Sequence, residues 1–555
     1  MFLPVSFRTK ISALLLRLSR RLQKIRGRKF PVMPALDLIP KCPLSIIVVR
    51  FSDEFNHNIA CSPCATNPLN QLIVVDNTSN VFYYSLSEAI NAGLAQAKHD
   101  IVVVVHEDVY LPAGWQACLE FALSSLEPLD PNWGVIGTAG ITAAGVSRGH
   151  YSDPNNYCNT FKLNECVTPV DSLDEHLMIF RKSRGYSMDA LHPGIHGIGT
   201  DLVISAQRRG ANCYVINAPS IHKYKDAQGE IITSIDKSPK IVDRANYAYK
   251  ADKLCCDEYI RHKWNDLTPF SSMVTRYEPW QHPADQLDSV SPDILTHLDN
   301  PVILLGKGGG GSRLLSFLMQ DCGVCLGTDV NISGDCMDMV IAVYQGVIEK
   351  FKCKAGWQKE LVVPQLRLAA AKMLERMKPG ERKLWGFKLP ENLFLLQELN
   401  QAFPRARYIQ MFRDPVNTCL RRTHMTARLD NQIGRITLPL AYREAGFPVS
   451  QILADSEALH MAYSTVHQLG LSLSFCRNHL DETRYREVFF EDLLTKPEQS
   501  LKSVSEWLGV QPESHTLAAE VDIKRASRPG TTYPADIEQK VKALLQPLME
   551  SLSYM

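Results

Sequence analysis

The stretch that decides the fold of the C-terminal half is NPVILLGKGGGGSRLLSFLM, residues 300–319. An apolar run, Val302 to Leu305, stops near four consecutive glycines and resumes as an apolar, helix-like segment. So many glycines lose backbone entropy on folding and add no side-chain packing. We therefore expect the backbone to wrap closely around a ligand, because a strand, a glycine loop and a helix N-terminus together form an anion-binding site.

The length and composition of the chain set the class of protein. The chain has 555 residues, so two or three domains are expected rather than one ordinary core. Its 45% hydrophobic and 21% charged residues are typical of a globular protein. The formal net charge of +1 argues against a general nucleic-acid binder, and we expect no nucleic acid among its partners.

The cysteines indicate a reducing compartment. Fifteen cysteines are scattered without the regular spacing of a disulfide framework. Cys61 and Cys64, in CSPC, lack the second half of a zinc site. We interpret them as ordinary thiols and expect a cytoplasmic protein.

The N-terminal segment, residues 1–42, departs from this neutral balance. It has no acidic residue before Asp37, and its basic residues up to that point are Arg8, Lys10, Arg17, Arg20, Arg21, Lys24, Arg26, Arg28 and Lys29. Leucines and isoleucines recur at roughly helical spacing, which predicts either a basic amphipathic helix in peripheral contact with an anionic membrane or a solvated extension. The segment is too short and too charged to span a bilayer, and it lacks the features of a signal peptide.

Two α/β blocks follow. LSIIVVR, QLIVVDN and IVVVVHEDV are predicted to form buried parallel strands, and SLSEAINAGLAQAKHD is predicted to form a helix. Alternating strands and helices predict the α/β fold class with doubly wound sheets. We predict a first domain over 43–263, a linker rich in Pro, Ser and Asp over 264–299, and a second domain over 300–555.

The glycine loop differs from the ATPase P-loop, which has Gly-x-x-x-x-Gly-Lys-Ser/Thr. Gly306 and Gly311 have the glycine spacing and Ser312 supplies the hydroxyl, but the lysine is Lys307, at the entrance of the loop. At that place a lysine lies beside the terminal group of a bound nucleotide, where charge develops on a bridging oxygen. The pattern favours a leaving-group role for Lys307, and a P-loop kinase remains an alternative.

Three stretches in order resemble sulfotransferases that use 3′-phosphoadenosine 5′-phosphosulfate (PAPS). LLGKGGGGSRLL resembles their 5′-phosphosulfate-binding loop. LWGFKLPENLFLLQELNQAFPRARYIQMFRDPVNTCLRR, residues 384–422, resembles their central Lys-x-Pro and Arg-Asp-Pro stretch. REVFFEDLLTKPEQSLKSVSEWLGV, residues 486–510, resembles the later strand, acidic turn and helix. The resemblance implies a P-loop-like sulfotransferase domain over about half of the chain.

The resemblance also implies roles for individual residues. Lys307 would stabilise the bridging oxygen of the leaving group, and Lys388 would lie near the transferred sulfuryl group. The 5′-phosphosulfate would be held by Gly308, Gly309, Gly310, Gly311, Ser312 and Arg313. Arg413 would bind the 3′-phosphate, with Arg421 standing where the family has a serine. Arg528 is a further candidate to close over the nucleotide. Glu391 and His424 are both candidates for the general base that deprotonates the acceptor.

The first block resembles family 2 glycosyltransferases of GT-A fold, through FNHNIACSPCATNPLNQLIVVDNTSN and INAGLAQAKHDIVVVVHEDVYLPAGW. The resemblance implies that Asp76 contacts the base of a nucleotide sugar. It implies that Glu107 and Asp108 occupy the place of the Asp-x-Asp motif, with Asp108 as ligand of a divalent cation, Mn or Mg. Glu107 is then a secondary donor-binding residue.

Two later stretches complete this resemblance. VDSLDEHLMIFRKS resembles the strand that borders the acceptor site, with Asp174 and Glu175 facing it. HPGIHGIGTDLVISAQRRGANCYVINAPSIHKY resembles the helix with the catalytic acid and the strand after it. Asp201 is the catalytic residue implied there, and His222 is either a late metal ligand or a structural histidine.

Together the two resemblances predict a bifunctional, glycan-modifying enzyme of polysaccharide biosynthesis. One domain would transfer a sugar from a nucleotide sugar, and the other a sulfuryl group from PAPS to a carbohydrate hydroxyl. The acceptor is expected to be a glycan or glycolipid. The alternative is a sulfotransferase alone, whose first domain is a degenerate sugar-binding module.

Overall fold

The structure is a computed structural model that describes residues 29–30, 39–233, 244–421, 423–511 and 532–554. The chain divides into two compact units. The first unit is Met1–Val242 with Cys256–Trp280, and the second is Asp243–Cys255 with Gln281–Met555. Each unit combines helices with a largely parallel or mixed β-sheet, as the predicted α/β class requires.

The first unit contains fifteen strands in the described residues. They are β1 (Leu44–Arg50), β2 (Gln71–Asp76), β3 (Ile101–His106), β4 (Val109–Tyr110), β5 (Val135–Gly137), β6 (Ala139–Ile141), β7 (Ser147–Asp153), β8 (Asn156–Asn159), β9 (Val167–Val170), β10 (Ser172–Leu173), β11 (Leu177–Arg181), β12 (Cys213–Ile216), β13 (Ser220–His222), β14 (Phe270–Ser271) and β15 (Arg276–Tyr277). Its helices are α1 (Glu54–His57), α2 (Pro63–Thr66), α3 (Leu86–Gln96), α4 (Trp115–Leu126), α5 (Ile198–Arg208) and the C-terminal part of α6 (Arg244–Lys263).

The central sheet of this unit has the strand order β2-β1-β3-β11-β5-β12-β9. The prediction that β1, β2 and β3 are parallel neighbours is confirmed, with Val49 paired to Val75 on one side and to His106 on the other. The sheet is mixed rather than wholly parallel, because β11 runs antiparallel to both β3 and β5. The carboxyl ends of β1, β2 and β3 therefore meet at one edge of the sheet.

Apolar side chains cover both faces of the central sheet. Along β1, Leu44, Ile46 and Val48 are buried in one cluster with Trp115, whereas Ile47 is buried in the other. A strand whose successive side chains enter two cores has no polar face, which explains its continuous apolar sequence. Helix α4 packs on the first face and helices α3 and α5 on the second.

A second sheet brings a distant segment to the end of β3. It has the order β10-β6-β7-β13-β4, with β8 paired to β7. In the antiparallel pair of β4 and β13, His222 lies opposite Val109. This pairing places His222 next to the residues that directly follow β3, although more than a hundred residues separate them in sequence.

The second unit has a four-stranded sheet, β17-β16-β18-β19, in which every neighbouring pair is parallel. The strands are β16 (Val302–Gly306), β17 (Gly386–Lys388), β18 (Arg407–Phe412) and β19 (Tyr485–Phe489). The helices are α7 (Pro283–Leu287), α8 (Pro292–Leu298), α9 (Ser312–Asp321), α10 (Val340–Phe351), α11 (Gly356–Glu360), α12 (Val362–Arg376), α13 (Leu396–Ala402), α14 (Pro415–Arg421), α15 (Gln432–Glu444), α16 (Glu457–His479), α17 (Phe490–Thr495), α18 (Pro497–Leu508) and α19 (Ala535–Ser551).

The glycine stretch lies at the centre of this unit. Strand β16 is wholly buried, and α9 packs its apolar side chains, including Leu315 and Met319, against β16, β18 and β19. The predicted order of strand, glycine loop and helix is thus confirmed. Because β16 is an interior strand of a parallel sheet, the loop emerges at the carboxyl edge, where α/β folds place their ligands.

The predicted domain boundaries stay predictions. The segment 264–299, predicted as a linker, contains β14, β15, α7 and α8. Most of the basic segment 1–42, like Arg528, lies outside the described residues. Within the described part of the chain, no helix combines the length and apolar character needed to cross a membrane.

Candidate functional sites

The glycine loop joins β16 to α9 by two left-handed backbone turns. Gly309 has φ +91° and Gly311, at the N-cap of α9, has φ +90°. Residues with a side chain rarely adopt this backbone conformation, so these two positions require glycine whatever binds there. Ser312 is buried as the first residue of the helix, and the loop delivers its backbone N–H groups to the helix N-terminus.

Two of the four glycines, Gly308 and Gly311, also leave room for protein side chains. A Cβ at Gly308 would lie 2.2 Å from the imidazole of His424, and one at Gly311 would lie 2.4 Å from the ring of Phe490. The four glycines were expected to allow close approach of a ligand. The structure adds a second cause, because two rings from distant segments already pack directly against this backbone.

Lys307 is buried at the entrance of the loop. Its Nζ donates hydrogen bonds to Thr426 Oγ1 at 3.1 Å and to Ser464 Oγ at 3.0 Å. Burial lowers the pKa of Lys307 to about 7, only partly offset by neighbouring acidic groups such as Glu391. A lysine with a pKa near 7 is only partly protonated at physiological pH, and an anion bound beside it favours the protonated, charged form.

Lys388 is held by a carboxylate that the sequence analysis missed. The Lys388 Nζ lies 2.5 Å from Asp335 Oδ1 and donates to the Ser333 carbonyl at 2.8 Å. Both charged side chains are almost fully buried. Asp335 lies within no recognised motif, and the only sequence signal is an acid 28 positions after Lys307 in a Gly-Asp pair.

The segment that carries Asp335 also contacts α9. Arg313 donates from its guanidinium to Ser333 Oγ at 3.0 Å. Ser316, one turn further along the helix, donates to the Gly334 carbonyl at 3.1 Å. Arg313, Ser316 and Lys388 therefore all contact the same short segment, residues 333–335.

Arg413 and Arg421 lie close together beyond the end of β18. The Arg413 guanidinium stacks over the Phe490 ring, 4.4 Å from its centroid, on the same ring that packs against Gly311. Burial and then the positive charge of Arg421 lower the pKa of Arg413. The carboxylates of Glu491 and Asp414 act in the opposite direction, so the two arginines also have acidic neighbours.

The two candidate bases have different surroundings. Glu391 is fully buried in the 3₁₀ turn that follows β17. The His424 Nδ1 accepts a hydrogen bond from the Thr426 N–H at 3.3 Å and caps the next turn. The same nitrogen lies 3.0 Å from Thr426 Oγ1, so the backbone N–H and the hydroxyl of Thr426 both contact Nδ1 of His424.

In the first unit, three side chains form a group with metal-ligand geometry: His106, Asp108 and His222. One ligand atom from each lies within 4.8 Å of the other two. His106 is the last residue of β3, Asp108 follows two residues later, and His222 ends β13. The His106 Nε2 and Asp108 Oδ1 atoms are buried and make no hydrogen bond in the structure. His106 had not been assigned from the sequence, although the spacing His-x-Asp was visible.

Ion pairs orient His222. Its Nε2 lies 3.4 Å from Asp108 Oδ2 and its Nδ1 lies 3.2 Å from Asp153 Oδ2. Burial acts to lower the pKa of His222, but the two carboxylates outweigh it and raise that pKa to about 10. Burial lowers the pKa of His106 to about 4. The cluster thus pairs a protonated His222 with an ionised Asp108, while His106 stays neutral.

Glu107 faces away from this group. Its carboxylate accepts hydrogen bonds from the backbone N–H groups of Phe51 and Ser52 and from the Ser52 hydroxyl. Burial raises its pKa to about 7, opposed by these hydrogen bonds. Glu107 therefore holds the end of β1 against the end of β3, and the metal-ligand group does not include it.

Asp76 ends β2, at the same edge of the sheet. Its Oδ1 accepts hydrogen bonds from the Thr78 N–H at 3.0 Å and from the Thr78 hydroxyl at 2.6 Å. The Thr78 hydroxyl lowers the pKa of this largely exposed carboxyl. An ionised acid on the rim of the sheet edge is accessible to a ligand.

Asp201 lies in a structural ion pair. Its carboxylate accepts from Lys263 Nζ, at 2.8 Å to Oδ1, and from the Trp264 indole N–H at 2.7 Å. The predicted catalytic residue is therefore buried at the first turn of α5 and already paired with a lysine. Its role as a catalytic group stays a prediction, and these contacts do not favour it.

Asp174 and Glu175 lie nearer to the cluster. Asp174 Oδ1 is 2.8 Å from His176 Nδ1, and the His176 ring stacks on His222 with centroids 5.5 Å apart. Burial and the neighbouring Asp174 charge raise the pKa of Glu175. The structure thus brings together His106, Asp108, His222 and the 174–176 segment, and leaves Asp201 in separate contacts.

Comparison with protein families assigns the second half of the chain. Residues 271–514 match the model of the sulfotransferase family. The chain therefore contains a sulfotransferase-family domain in its C-terminal half. The glycine loop and Lys307, Lys388, Arg413 and Arg421 all fall within the matched residues.

Other similarities are partial. The chain is 30% identical over 140 residues to "ATP synthase subunits region ORF 6" of Fuscovulum blasticum, which covers 24% of this chain and 54% of that protein. It thus spans about half the length of this curated relative.

Solved structures with similarity include sulfotransferase STF9 from Mycobacterium avium, at 12% identity and TM-score 0.33, covering 57% of this chain and 98% of that one. Sulfotransferase STF1 from Mycobacterium tuberculosis H37Rv is 14% identical with TM-score 0.32, covering 55% and 93%. The mannosyltransferase PcManGT from Pyrobaculum calidifontis is 13% identical with TM-score 0.26, covering 41% and 68%. At these identities and TM-scores, none of the three determines the function of this chain.

Proposed function

We propose that the second unit transfers a sulfuryl group from PAPS to a hydroxyl of a carbohydrate, and that the first unit transfers a sugar from a nucleotide sugar. The sulfotransferase-family match of residues 271–514 carries the first part. The metal-ligand group of His106, Asp108 and His222 at the end of β3 carries the second. A glycan or glycolipid acceptor follows by association, since two glycan-modifying activities would share one product.

In sulfuryl transfer, one S–O bond forms and another breaks. The acceptor oxygen attacks the sulfur atom, the bond from sulfur to the 5′-phosphate oxygen breaks, and 3′-phosphoadenosine 5′-phosphate leaves. The acceptor proton passes to a base, and negative charge grows on the bridging oxygen. The Lys307 amine is held at the loop entrance by hydrogen bonds to Thr426 and Ser464, and this position supports its role as hydrogen-bond donor to the bridging oxygen.

Donor binding is supported by the loop and the arginine pair. The N-terminus of α9, with Ser312 as its first residue, is suited to the phosphosulfate. Arg413 and Arg421 are suited to the 3′-phosphate, because their mutual repulsion is relieved when a dianion binds between them. Before the donor binds, Asp335 fixes the position of the Lys388 amine. To contact the sulfuryl oxygens, Lys388 must give up part of its interaction with Asp335.

A carboxylate is the better base. The lone pair of His424 Nδ1 is engaged by the Thr426 N–H, so His424 is suited to donate from Nε2 beside Gly308. Glu391 is near enough for its charge to act on Lys307, and Asp335 is paired with Lys388. We assign the proton transfer to one of these two acids and a donor role to His424.

In the first unit, a divalent cation would be held by Asp108 and His222, with Asp76 toward the nucleotide. The carboxylate and imidazole atoms present fit such an ion, since Asp108 Oδ1 and the nearby His106 Nε2 are buried without hydrogen-bond partners. When bound, the ion neutralises the diphosphate of the donor. Asp174 and Glu175, rather than Asp201, are the acids whose position supports proton transfer from the acceptor.

The test is a donor and acceptor screen on the full chain. Release of 3′-phosphoadenosine 5′-phosphate is measured with PAPS and a panel of oligosaccharides, and nucleotide release with UDP- and GDP-sugars and Mn²⁺. Turnover of both donors is expected. PAPS turnover with no nucleotide-sugar turnover would leave the first unit as a sugar-binding module. Preference for ATP over PAPS would replace the sulfotransferase proposal with a kinase.

A further inference from the structure

The sequence resemblance places Glu107 and Asp108 at the Asp-x-Asp motif and gives Asp108, with His222 as a late candidate, as the ligands of Mn or Mg. The structure replaces one carboxylate by an imidazole, because Glu107 faces the backbone of Phe51 and Ser52 instead. His106, the last residue of β3, belongs to the group of possible ligands instead. Its Nε2 atom is buried and has no hydrogen-bond partner in the structure.

An imidazole nitrogen buried without a partner carries a cost. A lone pair or N–H that is removed from water and left without a hydrogen-bond partner destabilises the fold. The neighbouring Asp108 Oδ1 shares this condition, two residues further along the chain. His222, whose Nε2 lies 3.4 Å from Asp108 Oδ2, completes a group in which one ligand atom from each residue lies within 4.8 Å of the others. A metal ion bound there would take the place of the proton on His222.

His222 has the supporting contact that metal-binding histidines usually have. Its Nδ1 lies 3.2 Å from Asp153 Oδ2, so its Nε2 is directed at Asp108. A carboxylate behind an imidazole fixes the tautomer and the orientation of the ring. Lys223, the next residue, has φ +49°, and residues in strained backbone concentrate at functional sites.

We propose that His106 is the third protein ligand of this site, and that the two imidazoles and one carboxylate bind a borderline transition metal in preference to Mg²⁺ or Ca²⁺ before any nucleotide is bound. The inference rests on the cation site of the proposed function. Imidazole suits metals such as Zn²⁺ and Co²⁺, whereas Mg²⁺ and Ca²⁺ take oxygen ligands. An all-protein set of three ligands also removes the need for diphosphate oxygens to retain the ion.

The test measures binding without turnover. The full chain is stripped with a chelator and titrated by calorimetry with Co²⁺, Zn²⁺, Mn²⁺ and Mg²⁺ in the absence of nucleotide, and the Co²⁺ visible absorption band is recorded. We expect one ion per chain, with affinity rising from Mn²⁺ through Co²⁺ and with Mg²⁺ weakest. Mg²⁺ binding as tight as Co²⁺ binding would overturn the proposal.

Variants assign the ligands. His106→Ala and Asp108→Asn should each lower Co²⁺ affinity by more than about a hundredfold and change the absorption band, because even outer contacts are worth about 10- to 100-fold. Asp153→Asn should lose about 10- to 100-fold through the orientation of His222. His99→Ala, in the same unit but outside the group, is the matched control. A folded His106→Ala variant with the parental affinity and band would rule out His106 as a ligand.

This experiment separates the two proposals. Co²⁺ bound through His106, with no nucleotide-sugar turnover, would support the metal site and contradict sugar transfer. Sugar transfer that runs with Mg²⁺ and is unaffected by His106→Ala would support the proposed function and contradict the inference.

Discussion

Lys307 shows how burial and hydroxyl partners shape one catalytic candidate. Its amine contacts two hydroxyl groups, and burial lowers its pKa to about 7. Neither effect is visible in the sequence, where Lys307 is only a lysine in the wrong place for an ATPase. Two testable consequences follow from its charge state.

The first concerns the rate of sulfuryl transfer. Lys307→Ala should lower single-turnover transfer from PAPS by about a hundred- to a thousandfold, roughly 3–4 kcal/mol, and weaken PAPS binding far less. The reason is that the bridging oxygen gains negative charge mainly in the transition state. Rapid-quench rates and a binding titration measure the two effects, with the exposed Lys378→Ala as control. Transfer at the parental rate would exclude Lys307 from the reaction.

The second consequence is a pH dependence of donor affinity. Above pH 7 the amine of the ligand-free protein is mostly neutral, and a bound phosphosulfate raises its pKa. Affinity should therefore be full below pH 7 and fall by up to about tenfold per pH unit above it, with proton uptake on binding. Calorimetry at pH 8 in two buffers of different ionisation enthalpy measures the uptake. Lys307→Met should bind without it, and absence of uptake in the parent would refute the assignment.

The conformation of the glycine loop between β16 and α9 depends on its own backbone and on side chains from other segments. Left-handed backbone at Gly309 and Gly311 turns the chain into the helix, while His424 and Phe490 pack against it from other segments. The Arg413 guanidinium stacks on the same Phe490 ring, so Phe490 contacts both the loop and one arginine of the pair.

Substitutions in the loop should distinguish the need for left-handed backbone from the need for space beside the two rings. Gly311→Ala should weaken PAPS binding by tenfold or more, because strained φ costs about 1–3 kcal/mol and the new Cβ meets Phe490. Gly308→Ala should also weaken binding, since its Cβ meets the His424 ring. Gly380→Ala, where a Cβ meets nothing within 4 Å, is the control. Titration with PAPS is the measurement.

A second-site change identifies the cause at Gly308. Removing the ring in Gly308→Ala, His424→Ala should restore much of the donor affinity, because the three atoms nearest to the new Cβ all belong to that ring. If the double variant binds no better than Gly308→Ala, the glycine serves the ligand rather than His424.

The whole chain combines two candidate sites, each built within one unit. Asp108→Asn should abolish metal-dependent sugar transfer and leave the sulfuryl transfer rate unchanged, because no residue of the second site belongs to the first unit. Lys307→Ala should have the opposite effect. Both activities are assayed on the same preparation, after circular dichroism shows that each variant is folded. Loss of both activities in a folded Asp108→Asn variant would contradict independent sites.

The basic N-terminal segment gives a prediction about location. Deleting residues 1–28 should reduce binding to vesicles containing phosphatidylserine, and raised salt should imitate the deletion by screening charge. Sedimentation with anionic and neutral vesicles measures this. Equal binding of the full and shortened chains would leave the segment as a solvated extension.

Local patterns in the sequence were sufficient for the elements that depend on near neighbours. Continuous apolar runs predicted the buried strands β1, β2, β3 and β16, because strands covered on both faces have no polar side. The glycine run predicted the turn between β16 and α9, since only glycine adopts left-handed backbone at low cost. The family of the second half was also readable from three ordered stretches.

Long-range contacts decided what the sequence left open. Antiparallel β11 made the first sheet mixed, and the pairing of β4 with β13 brought His222 to Asp108 across more than a hundred residues. The same tertiary packing paired Lys388 with Asp335, turned Glu107 to the backbone and engaged Asp201 with Lys263. The physical reason is that the direction and partner of a charged side chain depend on which segments meet around it, and residue type and local spacing do not carry that information.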